Sequence, residues 1–185
     1  MISSTDQYYI ELPSVTFNKL NLQKLLESDD LEWKLYWLPE WGNSGDYDET
    51  YKNHDIDIEN YEQFSVLKEI IDQLPPSVRF AEMCRFKKFP KNFVHGLHKD
   101  NEESSWSSKR KAFIHIPISD NASAINFHND EKQFVCKLKY TVPTLVNTQQ
   151  YHIIDTPIQT RTSLQITMPH HYNWEEVKNL ILQHL

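Results

Sequence analysis

The chain has 185 residues, of which 39% are apolar and 24% charged, and its formal net charge is −7. This length suits one domain that buries its own core, and the acidic balance argues against broad nucleic-acid binding, which draws its affinity from lysine and arginine. With only three glycines, the sequence contains neither a glycine-rich phosphate loop nor a dinucleotide-binding fingerprint.

The two cysteines, Cys84 and Cys136, are far apart and form no CxxC pair. We therefore expect two buried thiols in a reducing compartment rather than a disulfide or a thiolate zinc site. No apolar run approaches the roughly 20 residues that span a bilayer, and the first residues lack the basic flank and apolar stretch of a signal peptide. The expected location is the cytoplasm, with no membrane partner.

The N-terminal third mixes helices and loops. Leucines spaced along residues 16–28 predict an amphipathic helix, and the aromatic residues 31–38 predict a strand. The acidic, tyrosine-containing segment 46–62 predicts a solvated loop that acts as a lid. Apolar residues recur at helical spacing in 61–74, so a second helix is expected there, and Pro75-Pro76 would end it.

After this region the pattern changes to short strands. Eight are predicted, at residues 78–86, 93–98, 111–118, 124–127, 133–138, 144–148, 151–154 and 162–168. So many strands in so short a stretch predict a mainly β fold of the double-stranded β-helix (jelly roll) type, which folds two sheets over one another. Asn173 and Glu176 have the spacing of a capping box and predict a short C-terminal helix.

The chain is therefore predicted to form one domain with three parts. Residues 1–77 would be a helical and loop-containing support region, residues 78–169 the jelly-roll core, and residues 173–185 the C-terminal helix. Neither an internal repeat nor a low-complexity segment is evident in the sequence.

Three residues carry a metal-binding hypothesis. His98 and Asp100 are two positions apart, and on an extended chain such side chains point to the same side. A histidine from a distant strand, His152, would complete a set of two histidines and one carboxylate, which leaves coordination positions open and suits non-haem Fe(II). The alternatives are that His98 and Asp100 are a polar pair on a loop and that His152 is a hydrogen-bonded core histidine.

The last predicted strand carries a second candidate site. Arg161 and Ser163 share one face of this strand, while Leu164 and Ile166 occupy the other. An arginine can bind a carboxylate through two parallel charge-assisted hydrogen bonds, and a serine next to it adds a donor. The alternative is an ordinary surface arginine that opens the strand.

The order of these residues resembles the pattern of the Fe(II)/2-oxoglutarate-dependent dioxygenases. That pattern is HxD, a long gap, a distal histidine and then Arg-x-Ser, and here it reads His98-Lys99-Asp100, His152 and Arg161-Thr162-Ser163. The resemblance covers roughly residues 78–169, and the nearest members are the aspartyl/asparaginyl β-hydroxylase-like and the short phage-type oxygenases.

The resemblance implies an enzyme with two cofactors, Fe(II) and 2-oxoglutarate. His98, Asp100 and His152 would hold the iron, and Arg161 with Ser163 would bind the far carboxylate of 2-oxoglutarate. The implied reaction is hydroxylation of a small molecule or a peptide side chain, with release of succinate and CO₂. The alternative function is that of a cupin-like jelly roll that binds a metal or a ligand without oxygenase activity, although the tight HxH cluster of cupin sites does not occur in this sequence.

Four further residues are candidates for substrate contact. Trp106, in the loop after the HxD motif, is either a substrate wall or an aromatic anchor of that loop. Arg85 is either a surface charge on a strand or a group that reaches into the site. His115 and His128 lie on strands and are candidates for the cavity lining, and His128 also competes with His152 as metal ligand. The neighbouring His95 is expected to be structural or to support the metal ligands.

Overall fold

The computed structural model describes residues 5–28, 32, 34–36, 51–56, 65–76, 83–93, 96–100, 111–119, 124–169 and 171–185, with the backbone alone for 34–36, 51–56 and 83. The described helices are α1 (Lys19–Glu27), α2 (Ser65–Ile71) and α3 (Trp174–His184). The described strands are β1 (Tyr9–Glu11), β2 (Lys34–Tyr36), β3 (Tyr51–Ile56), β4 (Met83–Phe89), β5 (Ala112–Pro117), β6 (Ala124–His128), β7 (Phe134–Lys139), β8 (Thr144–Asn147), β9 (Tyr151–Ile154) and β10 (Arg161–Thr167).

The strands form two antiparallel sheets. The larger sheet has the order β1-β8-β5-β10-β4-β3-β2, and the smaller one has the order β7-β6-β9. This is the expected mainly β jelly roll. Strand β10 lies in the middle of the larger sheet, where it pairs with both β4 and β5.

Side chains alternate along β10 between the two faces of the larger sheet. One face packs against the helices, and the other faces the smaller sheet. Leu164 and Ile166 are fully buried on the outer face of the larger sheet, in one cluster with α2 and α3 residues such as Ile70 and Val177. Burial of each such side chain stabilises the fold by about 1.5–3 kcal/mol. The opposite face of β10, between the two sheets, carries four polar side chains: Arg161, Ser163, Gln165 and Thr167.

A smaller apolar cluster joins the two sheets. Phe113 and Val146 of the larger sheet pack there with Ile125, Phe127 and Leu138 of the smaller sheet. This cluster fills only part of the space between the sheets, and polar side chains line the rest.

The three helices confirm the sequence-based expectation. Asn18 caps α1 through its side chain, and Asn173 with Glu176 forms the predicted capping box of α3. In the described part of the chain, no helix is long and apolar enough to cross a membrane.

Three predictions about strands were wrong or incomplete. Residues 51–56 form β3, which pairs with β4, although the acidic segment 46–62 was expected to be a loop. The sequence of this strand, Tyr-Lys-Asn-His-Asp-Ile, has no alternation of apolar and polar residues, so it lacks the usual strand signal. Residues 93–98 form no strand within their described part; His98 makes only an isolated bridge to His152. Strand β1 was not foreseen, because three residues are too few to show alternation.

Candidate metal and carboxylate site

Backbone hydrogen bonds bring the two ends of the metal motif together. The amide of His98 donates to the carbonyl of His152 at 3.1 Å, and the amide of His152 donates back to His98 at 2.9 Å. The amide of Asp100 donates to the carbonyl of Thr148 at 3.1 Å. The HxD segment is therefore fixed against the end of β8 and the start of β9 without a regular strand of its own.

His98, Asp100 and His152 converge on one point. Each offers one ligand atom, and these atoms all lie within 4.8 Å of one another. Asp100 is 2% exposed and His152 is 3% exposed, while the side chain of His98 is 20% exposed. Among the described residues, no other group of three or more histidine, cysteine or carboxylate side chains gathers in this way.

Each histidine is oriented by a carbonyl group of its own loop. His98 Nδ1 donates to the Gly96 carbonyl at 2.8 Å, and His152 Nδ1 donates to the Gln150 carbonyl at 2.9 Å. A carbonyl only accepts, so Nδ1 carries the proton and Nε2 keeps its lone pair for a ligand bond. Two imidazoles and one carboxylate with this orientation fit Fe(II).

The metal ligands open into a cleft between the two sheets. Its cavity volume is about 40 Å³. The side chains that line it come from both sheets and their connections: Lys87, Phe89, His98, Phe113, His115, Ile125, Tyr140, His152, Ile154, Arg161, Ser163 and Gln165.

Arg161 lies in this cleft with its guanidinium fixed on several sides. Its side chain is only 3% exposed. Nη2 donates to His115 Nε2 at 3.4 Å, and Cζ lies 4.5 Å from the Tyr140 ring centroid and 5.5 Å from that of Phe89. Aromatic faces are a favourable environment for the guanidinium of a buried arginine, which can stack on them.

His115 is neutral in this environment. Burial lowers its pKa well below the usual value, and the positive charges of Arg161 and Lys87 lower it further. The ring stacks on Tyr140 with a centroid distance of 3.7 Å. Because an arginine only donates hydrogen bonds, Nε2 of His115 is the acceptor in its contact with Arg161.

The inner face of β10 carries buried polar atoms whose hydrogen-bonding capacity is unused. Among the described residues, Ser163 Oγ, Gln165 Oε1 and Thr167 Oγ1 are the buried side-chain oxygens without a hydrogen-bond partner. Each such group destabilises a fold by about 1–3 kcal/mol. Ser163 and Gln165 line the cleft together with Arg161, so a bound polar ligand would satisfy them.

The structure brings most of the sequence-derived candidates together. His98, Asp100 and His152 form the cluster, and Arg161, Ser163 and His115 line the adjoining cleft. For Arg85 the sequence left two alternatives, a surface charge or a group that reaches into the site. Arg85 is not a surface charge, because it is 5% exposed and shares its strand face with Lys87 and Phe89.

The structure does not bring His128 to the cleft. Strand β6 turns this side chain to the opposite face from Phe127, where Nδ1 lies 3.0 Å from the Lys132 carbonyl and the ring meets Phe134 edge-on. His128 therefore does not compete with His152 for the metal. Trp106 and His95 lie outside the described residues.

Sequence reasoning missed seven residues of the cleft lining: Lys87, Phe89, Phe113, Ile125, Tyr140, Ile154 and Gln165. Lys87 and Phe89 share a face of β4, and Gln165 follows Ser163 on the same face of β10. The alternation that grouped Arg161 with Ser163 would have found these three. Tyr140 follows the end of β7, and no pattern in the sequence points to it.

No protein-family model matches the sequence, and no curated protein is similar to it in sequence. Solved structures are similar in fold. A 2OG-Fe(II) oxygenase-family oxidoreductase from Burkholderia pseudomallei gives a TM-score of 0.55 at 15% identity, with 89% of this chain and 86% of that chain covered.

Two prolyl hydroxylases are similar to the same degree. A Pseudomonas putida prolyl-4-hydroxylase gives a TM-score of 0.55 at 8% identity, covering 88% of this chain and 93% of that one. A Trichoplax adhaerens prolyl hydroxylase, solved with a peptide fragment of a hypoxia inducible factor, gives 0.58 at 11% identity, covering 94% and 87%. The chain shares the jelly-roll fold of these oxygenases.

Proposed function

We propose that the protein is an Fe(II)- and 2-oxoglutarate-dependent oxygenase that hydroxylates a small molecule or a peptide side chain. One observation carries the proposal: the cleft lined by the two histidines of the His98, Asp100 and His152 cluster is also lined by a buried arginine and by a serine hydroxyl without a hydrogen-bond partner. A structural metal site would explain the cluster alone, and it would leave the polar lining of the cleft without a purpose.

His98, Asp100 and His152 would hold the iron. The imidazoles approach through Nε2, and Asp100 supplies the negative charge that the ion requires. His98 and His152 also line the cleft, so a metal held by these residues would be accessible from it. When bound, iron and 2-oxoglutarate together would supply dioxygen activation and the oxidation of substrate, with release of succinate and CO₂.

Arg161 and Ser163 would bind the distal carboxylate of 2-oxoglutarate. The guanidinium can donate two parallel hydrogen bonds to a carboxylate, and the Ser163 hydroxyl adds one more. Phe113, Ile125 and Ile154 provide apolar walls to the same cleft. Such walls exclude water and strengthen the charge interactions inside the site.

The substrate class is proposed from the structural comparison. The Trichoplax adhaerens enzyme was solved with a peptide fragment, and a similar fold here is compatible with a peptide side chain or a small molecule as the group that is hydroxylated. Trp106 and Arg85 remain proposed substrate contacts, and a cytoplasmic location remains part of the proposal.

An anaerobic titration of Fe(II)-loaded protein with 2-oxoglutarate tests the proposal. Chelation of a keto acid to this iron gives a weak visible charge-transfer band, which we expect in the wild type and not in His152→Ala. His128→Ala is the matched control, since it removes a histidine that lies outside the cleft. If iron binds and no band develops, the oxygenase proposal fails. The alternative function, a cupin-like metal-binding protein, would then be supported.

A further inference from the structure

Gln165 is a buried amide in the middle of the larger sheet, and its hydrogen-bond acceptor is unused. The residue is 2% exposed. Its strand pairs on both sides, so that His115 of β5 and Arg85 of β4 are directly opposite it, and both neighbours are buried as well. The carbonyl oxygen Oε1 nevertheless accepts no hydrogen bond. An unpaired buried acceptor destabilises a fold, so the requirements of folding do not explain this amide.

Gln165 lines the same cleft as two of the metal-binding residues. His98, His152 and Gln165 all belong to its lining. Along β10, Gln165 is two positions from Ser163 and four from Arg161, on the same face of the strand. Four residues of an extended strand span about 13 Å. A carboxylate held by Arg161 and Ser163 would therefore leave Gln165 for another group in the cleft.

The chemistry of Oε1 restricts what this other group is. An amide oxygen only accepts hydrogen bonds. At neutral pH 2-oxoglutarate carries two ionised carboxylates and a keto group, which also only accept. The proposed cosubstrate therefore cannot pair with Oε1, even when it is bound next to Arg161. An N–H or O–H group has to come from a different molecule in the cleft.

We propose that Gln165 is a specificity-determining residue: its carbonyl oxygen accepts a hydrogen bond from an N–H or O–H group of the substrate. This inference rests on the proposed function. It narrows the substrate class to molecules or peptides that carry such a donor near the carbon that is oxidised. A site that pairs its own buried polar group with the substrate rejects analogues without the partner, because binding them leaves that group unpaired.

A matched pair of small amides tests the inference. N-methylacetamide carries one N–H group, and N,N-dimethylacetamide has a methyl group in its place. Each amide is titrated into protein loaded with Mn(II) and 2-oxoglutarate, and the relaxation of its methyl protons by Mn(II) reports binding close to the metal. We expect the wild type to bind N-methylacetamide about tenfold more tightly than N,N-dimethylacetamide, equivalent to about 1.4 kcal/mol.

Substitution of Gln165 separates recognition of the donor from recognition of size. Gln165→Met keeps the approximate shape of the side chain and removes the acceptor, so the preference for N-methylacetamide should fall below twofold. A preference that arises from the smaller size of this amide would persist. The affinity for 2-oxoglutarate, measured by calorimetry, should change less than threefold. Gln183→Met, at an exposed position of α3, is the matched control and should keep the preference of the wild type.

Circular dichroism melting shows whether the variants fold. If Gln165→Met does not fold, Gln165→Leu takes its place with the same expected results. If neither variant folds, Gln165 supports the fold itself and the inference is overturned.

The outcomes distinguish the inference from the function on which it rests. If the Mn(II)-loaded wild type does not bind 2-oxoglutarate, both are overturned. If it binds 2-oxoglutarate but neither amide, or both amides equally, as when a water molecule pairs with Oε1, only the inference is overturned. The same holds if the preference persists in Gln165→Met, or if this variant loses more than threefold in 2-oxoglutarate affinity, which would assign Gln165 to the cosubstrate. A preference in the wild type and in Gln183→Met that is lost in Gln165→Met supports the inference.

Discussion

The neutral state of His115 predicts how stability depends on pH. In the unfolded chain a histidine titrates near pH 6.5, whereas in the fold burial, Arg161 and Lys87 keep the pKa of His115 well below this value. Below about pH 6.5 the unfolded state therefore binds one proton that the folded state does not. Stability from this group is complete above that pH and falls as the pH decreases toward the folded pKa.

The magnitude follows from the linkage relation. One proton contributes up to about 1.4 kcal/mol per pH unit. Between about pH 6.5 and about pH 5, His115 therefore destabilises the fold by at most about 2 kcal/mol. For a chain of this size, each kcal/mol shifts the melting temperature by about 2–4 °C. The melting temperature of the wild type should therefore fall more than that of His115→Gln over this interval, by at most about 4–8 °C.

The assay is thermal melting of metal-free protein, followed by circular dichroism in the presence of a chelator. All other titrating groups are common to both proteins, so their contributions cancel in the difference between the two curves. His184→Gln, which removes an exposed histidine near the end of α3, is the control for the loss of an imidazole. Parallel curves for the wild type and His115→Gln would refute a neutral, buried His115.

Further predictions concern the two halves of the site. His98→Ala and Asp100→Ala should each lower Mn(II) affinity at least tenfold, as measured by calorimetry, since each removes one of three ligands; unchanged affinity would exclude these residues as ligands. Arg161→Gln should weaken 2-oxoglutarate binding by at least a hundredfold with Mn(II) affinity unchanged, because the charged partner of the carboxylate is lost, and a similar loss of Mn(II) affinity would contradict this separation. Ser163→Ala should raise the melting temperature of the ligand-free protein by about 2–12 °C, since it removes a buried hydroxyl without a hydrogen bond. The same variant should bind 2-oxoglutarate more weakly, and a fall in melting temperature would show that the hydroxyl supports the fold.

The sequence by itself determined which metal-binding and carboxylate-binding side chains are present and in which order they occur along the chain. The i, i+2 spacing of His98 and Asp100, the later His152 and the shared face of Arg161 and Ser163 follow from backbone geometry. Strong local signals also placed the helices, because a capping residue and apolar spacing are encoded within a few positions. These features are local, so a single sequence is enough to predict them.

The tertiary structure alone decided which of these groups meet. The sequence favoured His152 over His128 only through the spacing of the family pattern. The physical reason lies in the tertiary structure, where His152 lines the cleft and His128 is on the other face of the smaller sheet. Residues 51–56 pair with β4 through backbone atoms that carry no side-chain signal. Tyr140 reaches the cleft from a connection distant in sequence, and only packing shows that it supports Arg161 and His115.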